Sequence, residues 1–130
     1  MDTPRRFPRS SRLLRPAEFQ AVFDSAGFKV GESGFLLLVR PNGSDHPRLG
    51  LVIAKKKVRR SVDRNRLKRV VRESFRLHQA ALPAADVIFM ARNELATLAS
   101  PELHAALAQA WKRLRRKMDG SRPAGSGNEA

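Results

Sequence analysis

Making or breaking a covalent bond needs particular side chains brought together, and few candidates in this chain are spaced for it. None of the 130 residues is cysteine, which removes thiolate nucleophiles, disulfides and cysteine-based metal sites. The three histidines, His46, His78 and His104, fall in a predicted loop, a helix end and a helix, whereas metal-free phosphodiester cleavage wants two poised acid/base groups. The twelve carboxylates stand singly, with no D-x-D or E-x-x-D spacing; metal-dependent cleavage usually needs them clustered. There is no glycine-rich phosphate loop and no zinc-ligand spacing. Cations are what the chain concentrates. Residues 55–76 hold eleven basic and two acidic side chains, a one-sided field of the kind that binds phosphates. Arginine adds a planar fork suited to bidentate phosphate contact and to stacking on bases. The chemistry on offer is recognition of a polyanion, and the chain by itself is not expected to be catalytic.

The totals agree. A net charge of +14 and a pI of about 11.7 repel themselves in a compact state, and a polyanionic partner relieves that. Nucleic acid is the first choice and an anionic membrane surface a distant second, because a membrane-surface helix wants a broad apolar side facing lipid. No apolar run approaches the ~20 residues of a membrane span. The N-terminus, MDTPRRFPRSSRLLRP, lacks the apolar centre of a signal peptide. A soluble, cytoplasmic protein is expected.

The elements that must position the cations follow from periodicity. Residues 1–14, rich in Pro, Arg and Ser, read as a basic flexible arm, residues 15–118 as one domain, and the Gly/Ser/Pro-rich residues 119–130 as a disordered tail. A helix is predicted from Pro16 to about Ala26, stopped by Gly27, with Phe19, Val22, Phe23 and Ala26 on one face. Phe35–Val39 and Arg48–Lys55 read as strands joined in a hairpin across PNGSDHP. Asp63 is a candidate N-cap for a helix whose apolar face is Leu67, Val70, Val71, Ser74, Phe75 and His78. Asp86–Arg92 is a third strand, and a last helix begins at Ser100-Pro101, with Leu103, Leu107, Ala110, Trp111, Leu114 and Met118 inward. The order α-β-β-α-β-α, with helices over one face of a mixed sheet, is an α+β two-layer sandwich.

On the basic helix, Asn65, Lys68, Arg69, Arg72 and Arg76 project away from the apolar face, and Arg64 and Arg66 flank that surface. An ordinary solvated face would carry alternating acids. Only Asp63 and Glu73 are present, too few for i,i+4 pairs to neutralise the run.

The run R-N-R-L-K-R-V-V-R-E-S-F-R, Arg64 to Arg76, closely resembles the RNR signature of the bacterial ribonuclease P protein component. Leu13-Leu14 followed by F-Q-A-V-F, Phe19 to Phe23, matches that family's first helix, and H-P-R-L-G-L-V-I-A-K-K, His46 to Lys56, resembles its second strand. The resemblance covers roughly residues 10–118. It implies an α/β sandwich with a left-handed β-α-β crossover, opposite to the general rule. It implies a subunit that binds a catalytic RNA and helps it remove the 5′ leader of precursor tRNA, with Mg²⁺ used by the RNA and none bound by the protein. Matching positions for the catalytic RNA are Arg64, Asn65, Arg66, Lys68, Arg69 and Arg72. Those for the single-stranded leader are Phe19, Phe23, Lys55, Lys56, Arg59 and Arg92. No membrane and no obligate protein partner is implied. Arg15 departs from a good N-cap, so the first helix is expected to fray at its start, and Leu38 stands where some relatives have an aromatic residue. A ribosomal protein, a DNA-binding helix-turn-helix regulator and a stand-alone nuclease are the rival readings; the strand before the basic helix argues against the second.

Overall fold

The computed structural model describes residues 11–32, 34–92 and 95–120. Its elements are α1 (Pro16–Ser25), β1 (Phe28–Glu32), β2 (Phe35–Pro41), β3 (Arg48–Val52), α2 (Ser61–His78), β4 (Ala85–Ala91) and α3 (Ser100–Gly120). The strands form one sheet in the order β1-β2-β4-β3. The α+β class holds, with one strand more than the periodicity predicts.

That strand, FKVGE, pairs antiparallel with β2 across a connection in which Gly34 takes φ +96°, a region open to glycine at little cost. The predicted hairpin between Phe35–Val39 and Arg48–Lys55 is not formed. β4 lies between those two strands, antiparallel to β2 and parallel to β3. A turn-rich linker brings β2 and β3 into one sheet without making them neighbours, since β4 offers each of them a full ladder of hydrogen bonds.

Alternation along the strands splits the core into two. Val30, Phe35, Leu37, Val39, Leu49, Val87 and Phe89 face α2 and α3. Phe35 stacks on Phe89 at 4.9 Å between ring centres, and Phe75 meets Trp111 edge-on at 5.9 Å. Leu38 and Ile88 face the other way and are covered by Val22 of α1 and by Leu13. The sandwich of sheet, α2 and α3 therefore carries α1 on its opposite face, where one-face coverage is expected from the sequence.

The predicted inner face of α2 is buried at Leu67, Val70, Val71, Ser74 and Phe75. Ser74 belongs there because its Oγ accepts a hydrogen bond from Trp111 Nε1 at 2.9 Å, and His78 Nδ1 sits 2.8 Å from the Ser74 carbonyl oxygen. Asp63 is not the N-cap. The helix starts three residues earlier, with Arg60 at the cap position and Asp63 in the first turn, where a carboxylate still favours the positive end of the helix dipole.

The start of α1 is held by a network rather than left to fray. Glu18 Oε1 accepts from the backbone N–H of Leu14 at 2.7 Å and of Arg15 at 3.0 Å. Its other oxygen accepts from Arg48 Nη1 at 3.0 Å. Arg48 also grips Asp86 with two hydrogen bonds, of 2.8 and 2.7 Å, and Asn42 Nδ2 donates to Asp86 at 2.9 Å. One guanidinium thus ties β3 to β4 and to α1. The last residues of the expected arm belong to the folded part, for Leu13 is buried and its N–H donates to the Leu49 carbonyl at 3.0 Å. Residues 1–10 of that arm and residues 121–130 of the expected tail lie outside the described residues. α3 runs on through Gly120.

Candidate nucleic-acid interface

The basic residues of α2 divide into those that hold the fold and those that face out. Arg64 Nη1 donates to the carbonyls of Val58 and Arg59 at 3.0 and 2.8 Å, bracing the loop that carries Lys55, Lys56 and Arg59. Arg66 donates to Ser100 Oγ and to the Leu98 carbonyl, each at 3.1 Å, clamping α2 to the start of α3. Asn65, Arg69 and Arg72 are exposed, and Lys68 is half-buried. Partial burial first, and the charge of Arg12 second, hold the Arg72 guanidinium below the usual arginine range.

The second candidate group gathers on the α1 face of the sheet. Phe19 is half-buried, and its ring lies over Gly50, where a Cβ would come within 2.6 Å of it. Phe23, one turn on, is 42% exposed. α1 runs from β3 at Phe19 to β2, where Gly27 N–H donates to the Val39 carbonyl at 2.9 Å. It therefore crosses the cross-strand row Gly50–Ile88–Leu38. The next row, Val52–Met90–Leu36–Gly31, has half-buried Val52, Met90 and Leu36. Because β3 and β4 are parallel, Lys55, Lys56 and Arg59 after one and Arg92 after the other emerge at the same end of this strip. All four are exposed. Arg92 Nη1 donates to the Glu32 carbonyl at 3.3 Å, and its guanidinium passes 3.6 Å from where a Gly31 Cβ would stand. Cations thus border an apolar strip with the Phe19 ring of α1 beside it. Leu38 is 8% exposed, beneath α1 rather than on the strip.

Several carboxylates lie against cations: Glu18 and Asp86 against Arg48, Glu32 against Arg113, and Glu73 against Arg76. Among the described residues no three Asp, Glu, His or Cys side chains stand together as a metal-binding group. No helix among them is long and apolar enough to cross a membrane.

Two features escape a linear reading. Arg12, placed in the expected arm, shares a groove with Lys68 and Arg72 of α2, and its one sequence signal is the apolar Leu13 buried beside it. Cations of α3 pin β1: Arg113 donates to Glu32 and to the Gly31 carbonyl, the latter at 3.1 Å, and Lys117 donates to the Lys29 carbonyl at 2.7 Å. No motif marks them.

A family model described as Ribonuclease P matches residues 7–115. The chain is 50% identical over 124 residues to a ribonuclease P protein component of Pseudomonas putida, covering 95% of this chain and 91% of the relative. With its counterpart from Pseudomonas paraeruginosa it shares 54% over 112 residues, 86% and 83% of the two chains. Among solved structures, the RNase P protein of Staphylococcus aureus is similar at a TM-score of 0.73 and 30% identity, over 79% of this chain and 94% of that one. The protein from Thermotoga maritima is similar at 0.70 and 31%, over 78% and 96%.

Proposed function

The chain belongs to the ribonuclease P protein component family, and from that premise we propose that it binds the catalytic RNA of ribonuclease P and the 5′ leader of precursor tRNA, promoting leader removal by the RNA. The observation that carries the reading is the two-sidedness of α2. Five buried residues fix the helix to the core, while Asn65, Arg69 and Arg72 stay exposed, with Lys68 beside them. A helix anchored this way presents its cations with no backbone left to order at the moment of binding. We assign the catalytic RNA to this face. Arg64 and Arg66 serve it indirectly, by fixing the Lys55–Arg59 loop and the α2–α3 joint.

The leader is assigned to the strip Val52–Met90–Leu36 and its border of Phe19, Phe23, Lys55, Lys56, Arg59 and Arg92. Stacking of unpaired bases on aromatic faces contributes about 1–3 kcal/mol per base and tolerates any sequence. A leader that differs between precursors suits that tolerance. Lysines and arginines at the rim neutralise its phosphates. Mg²⁺ and the hydrolytic chemistry belong to the RNA in this reading. The protein's contribution is to screen phosphate repulsion and to hold the substrate strand, acting in the cytoplasm with no obligate protein partner.

The test is cleavage of a leader-bearing precursor tRNA at low Mg²⁺ by the protein alone, a bacterial ribonuclease P RNA alone, and the two mixed. Correct 5′ cleavage by the mixture only, or far faster by the mixture, is expected. A mixture no better than the RNA would refute the assignment, and cleavage by the protein alone would refute the division of labour.

A further inference from the structure

The N-terminal segment, α1, β3 and α2 meet around a groove of about 190 Å³ lined by Arg12, Leu13, Leu14, Phe19, residues 49–51, Lys68 and Arg72. Its position is distinctive. Lys68 and Arg72 belong to the outward surface of α2, whereas Phe19 belongs to the α1 face, so the groove opens between the two surfaces described above. Its composition is distinctive too. Three cations converge on it, and among the described residues no carboxylate lines it.

Arg12 is not there by chance of a loose tail. Its backbone bridges to Leu49 at the outer edge of β3, and the buried Leu13 follows it. The fold therefore holds the Arg12 side chain close enough to Arg72 for the two charges to oppose each other. Cations brought from two parts of the fold to one groove set up a positive potential that favours an anion there. A phosphate diester offers oxygens to both guanidinium forks. The apolar part of the lining, Phe19 with the 45%-exposed Leu14, would meet the attached sugar or base.

We propose that this groove is a phosphate subsite for one nucleotide of RNA, formed by Arg12 together with Lys68 and Arg72, and that it joins the catalytic-RNA face to the leader strip. The subsite rests on the functional reading given above. It adds Arg12 to the binding residues and assigns Lys68 and Arg72 a common ligand. The phosphate comes either from the catalytic RNA or from the leader, and two arms of one experiment tell them apart.

In the first arm, affinity for the catalytic RNA is measured against salt for wild type, Arg12→Ala, Arg12→Lys, Arg72→Ala and the Arg12→Ala/Arg72→Ala pair. In the second, each protein is assembled with the RNA, and precursors with leaders lengthened one nucleotide at a time are bound. A phosphate from the catalytic RNA predicts a loss of about 5–10-fold for Arg12→Ala in the first arm, with the salt slope reduced by about one. A leader phosphate predicts an unchanged first arm and loss of the affinity step for one leader nucleotide in the second. Either way Arg12→Lys recovers most of the effect, and the double variant loses less than the product of the single losses, because both arginines serve one phosphate. Arg12→Ala equal to wild type in both arms overturns the subsite alone. A loss that tracks a lower melting temperature and is not recovered by lysine makes Arg12 a structural residue and also overturns it. Wild-type protein that binds neither RNA removes the parent reading and the subsite with it.

Discussion

Replacing Gly50 with alanine puts a methyl group where the Phe19 ring already stands. The new Cβ would lie 2.6 and 2.8 Å from two ring carbons and 3.1 Å from a Leu13 methyl carbon. Comfortable carbon–carbon contact begins near ~3.5 Å, so the ring has to retreat by about 1 Å. It has little room. Phe19 packs on the cluster of Leu13, Val22, Leu38 and Ile88, Gly50 is registered against Ile88 inside the sheet, and α1 is tied down through Glu18 and Arg48. Overpacking of this kind costs about 1–3 kcal/mol. Removing the extra freedom of a strand glycine returns about 0.5–1 kcal/mol, leaving a net loss of about 0–2.5 kcal/mol, in the upper half of that range because the ring is boxed in, and a melting temperature lower by several degrees. Urea unfolding followed by far-UV circular dichroism measures it. The decisive comparison adds Phe19→Leu, which lacks the clashing ring atoms. In that background Gly50→Ala should be neutral or stabilising, a coupling of about 1 kcal/mol or more. Gly50→Ala as stable as wild type, or equally destabilising in both backgrounds, would refute the account of how Phe19 is seated.

Arg48→Met should cost about 2–3 kcal/mol in the same assay, less than the ~3–5 kcal/mol of a fully buried pair because Arg48 itself is 27% exposed, while Asp86, at 3%, is left with Asn42. Backbone N–H groups of Arg15 and Leu14, and then the Arg48 charge, hold the Glu18 carboxyl below its ordinary value of 4.5. Its contribution to stability is therefore complete above that value and is lost as pH falls through the lowered one; Glu18→Gln should lower the melting temperature at neutral pH and converge with wild type in acid. Arg69→Ala should weaken binding to the catalytic RNA and leave unfolding unchanged, whereas Arg66→Ala, which removes bonds to Ser100 and Leu98, should cost about 1–2 kcal/mol of stability; equal stability of the two variants would contradict the clamp.

What was legible in the sequence was local. The inner face of α2 was readable because five apolar or small residues recur at helical spacing, and they are the buried ones. Phe35–Val39 and Asp86–Arg92 were readable as strands because short apolar runs are bounded by turn residues. β1 was not, since FKVGE offers one buried side chain, Val30, and two polar ones. Its partners are supplied by β2 and by α3, not by its own pattern. The hairpin expectation failed because adjacency in sequence says nothing of a later strand able to insert. Of the site, the exposure of Asn65, Arg69 and Arg72 was readable from the helical wheel, but the half-burial of Lys68 and Arg76 and the burden on Arg64 and Arg66 were not. Their acceptors are three backbone carbonyls, which every residue has, and the Ser100 hydroxyl, and no pattern marks them. Arg48, Glu18 and Asp86 share one network from three elements, a meeting visible only after folding.

The place of β4 in the sheet also sets a timetable. A ribosome releases the chain from its N-terminus, and β4, residues 85–91, is the one strand on which β3 is laddered. Until that segment emerges, only β1 and β2 can pair, and an isolated two-stranded hairpin is marginal in water. Leu49, Leu67 and Phe75 then have no sheet to bury against, while the most cationic part of the chain is already out. Closing the sheet must bring Arg48 to Asp86 across 38 positions, a loop-closure cost met before the contacts that repay it. Folding of this small domain is therefore a late event in its own synthesis, and truncations ending before residue 85 should yield chains that are basic, apolar and unclosed.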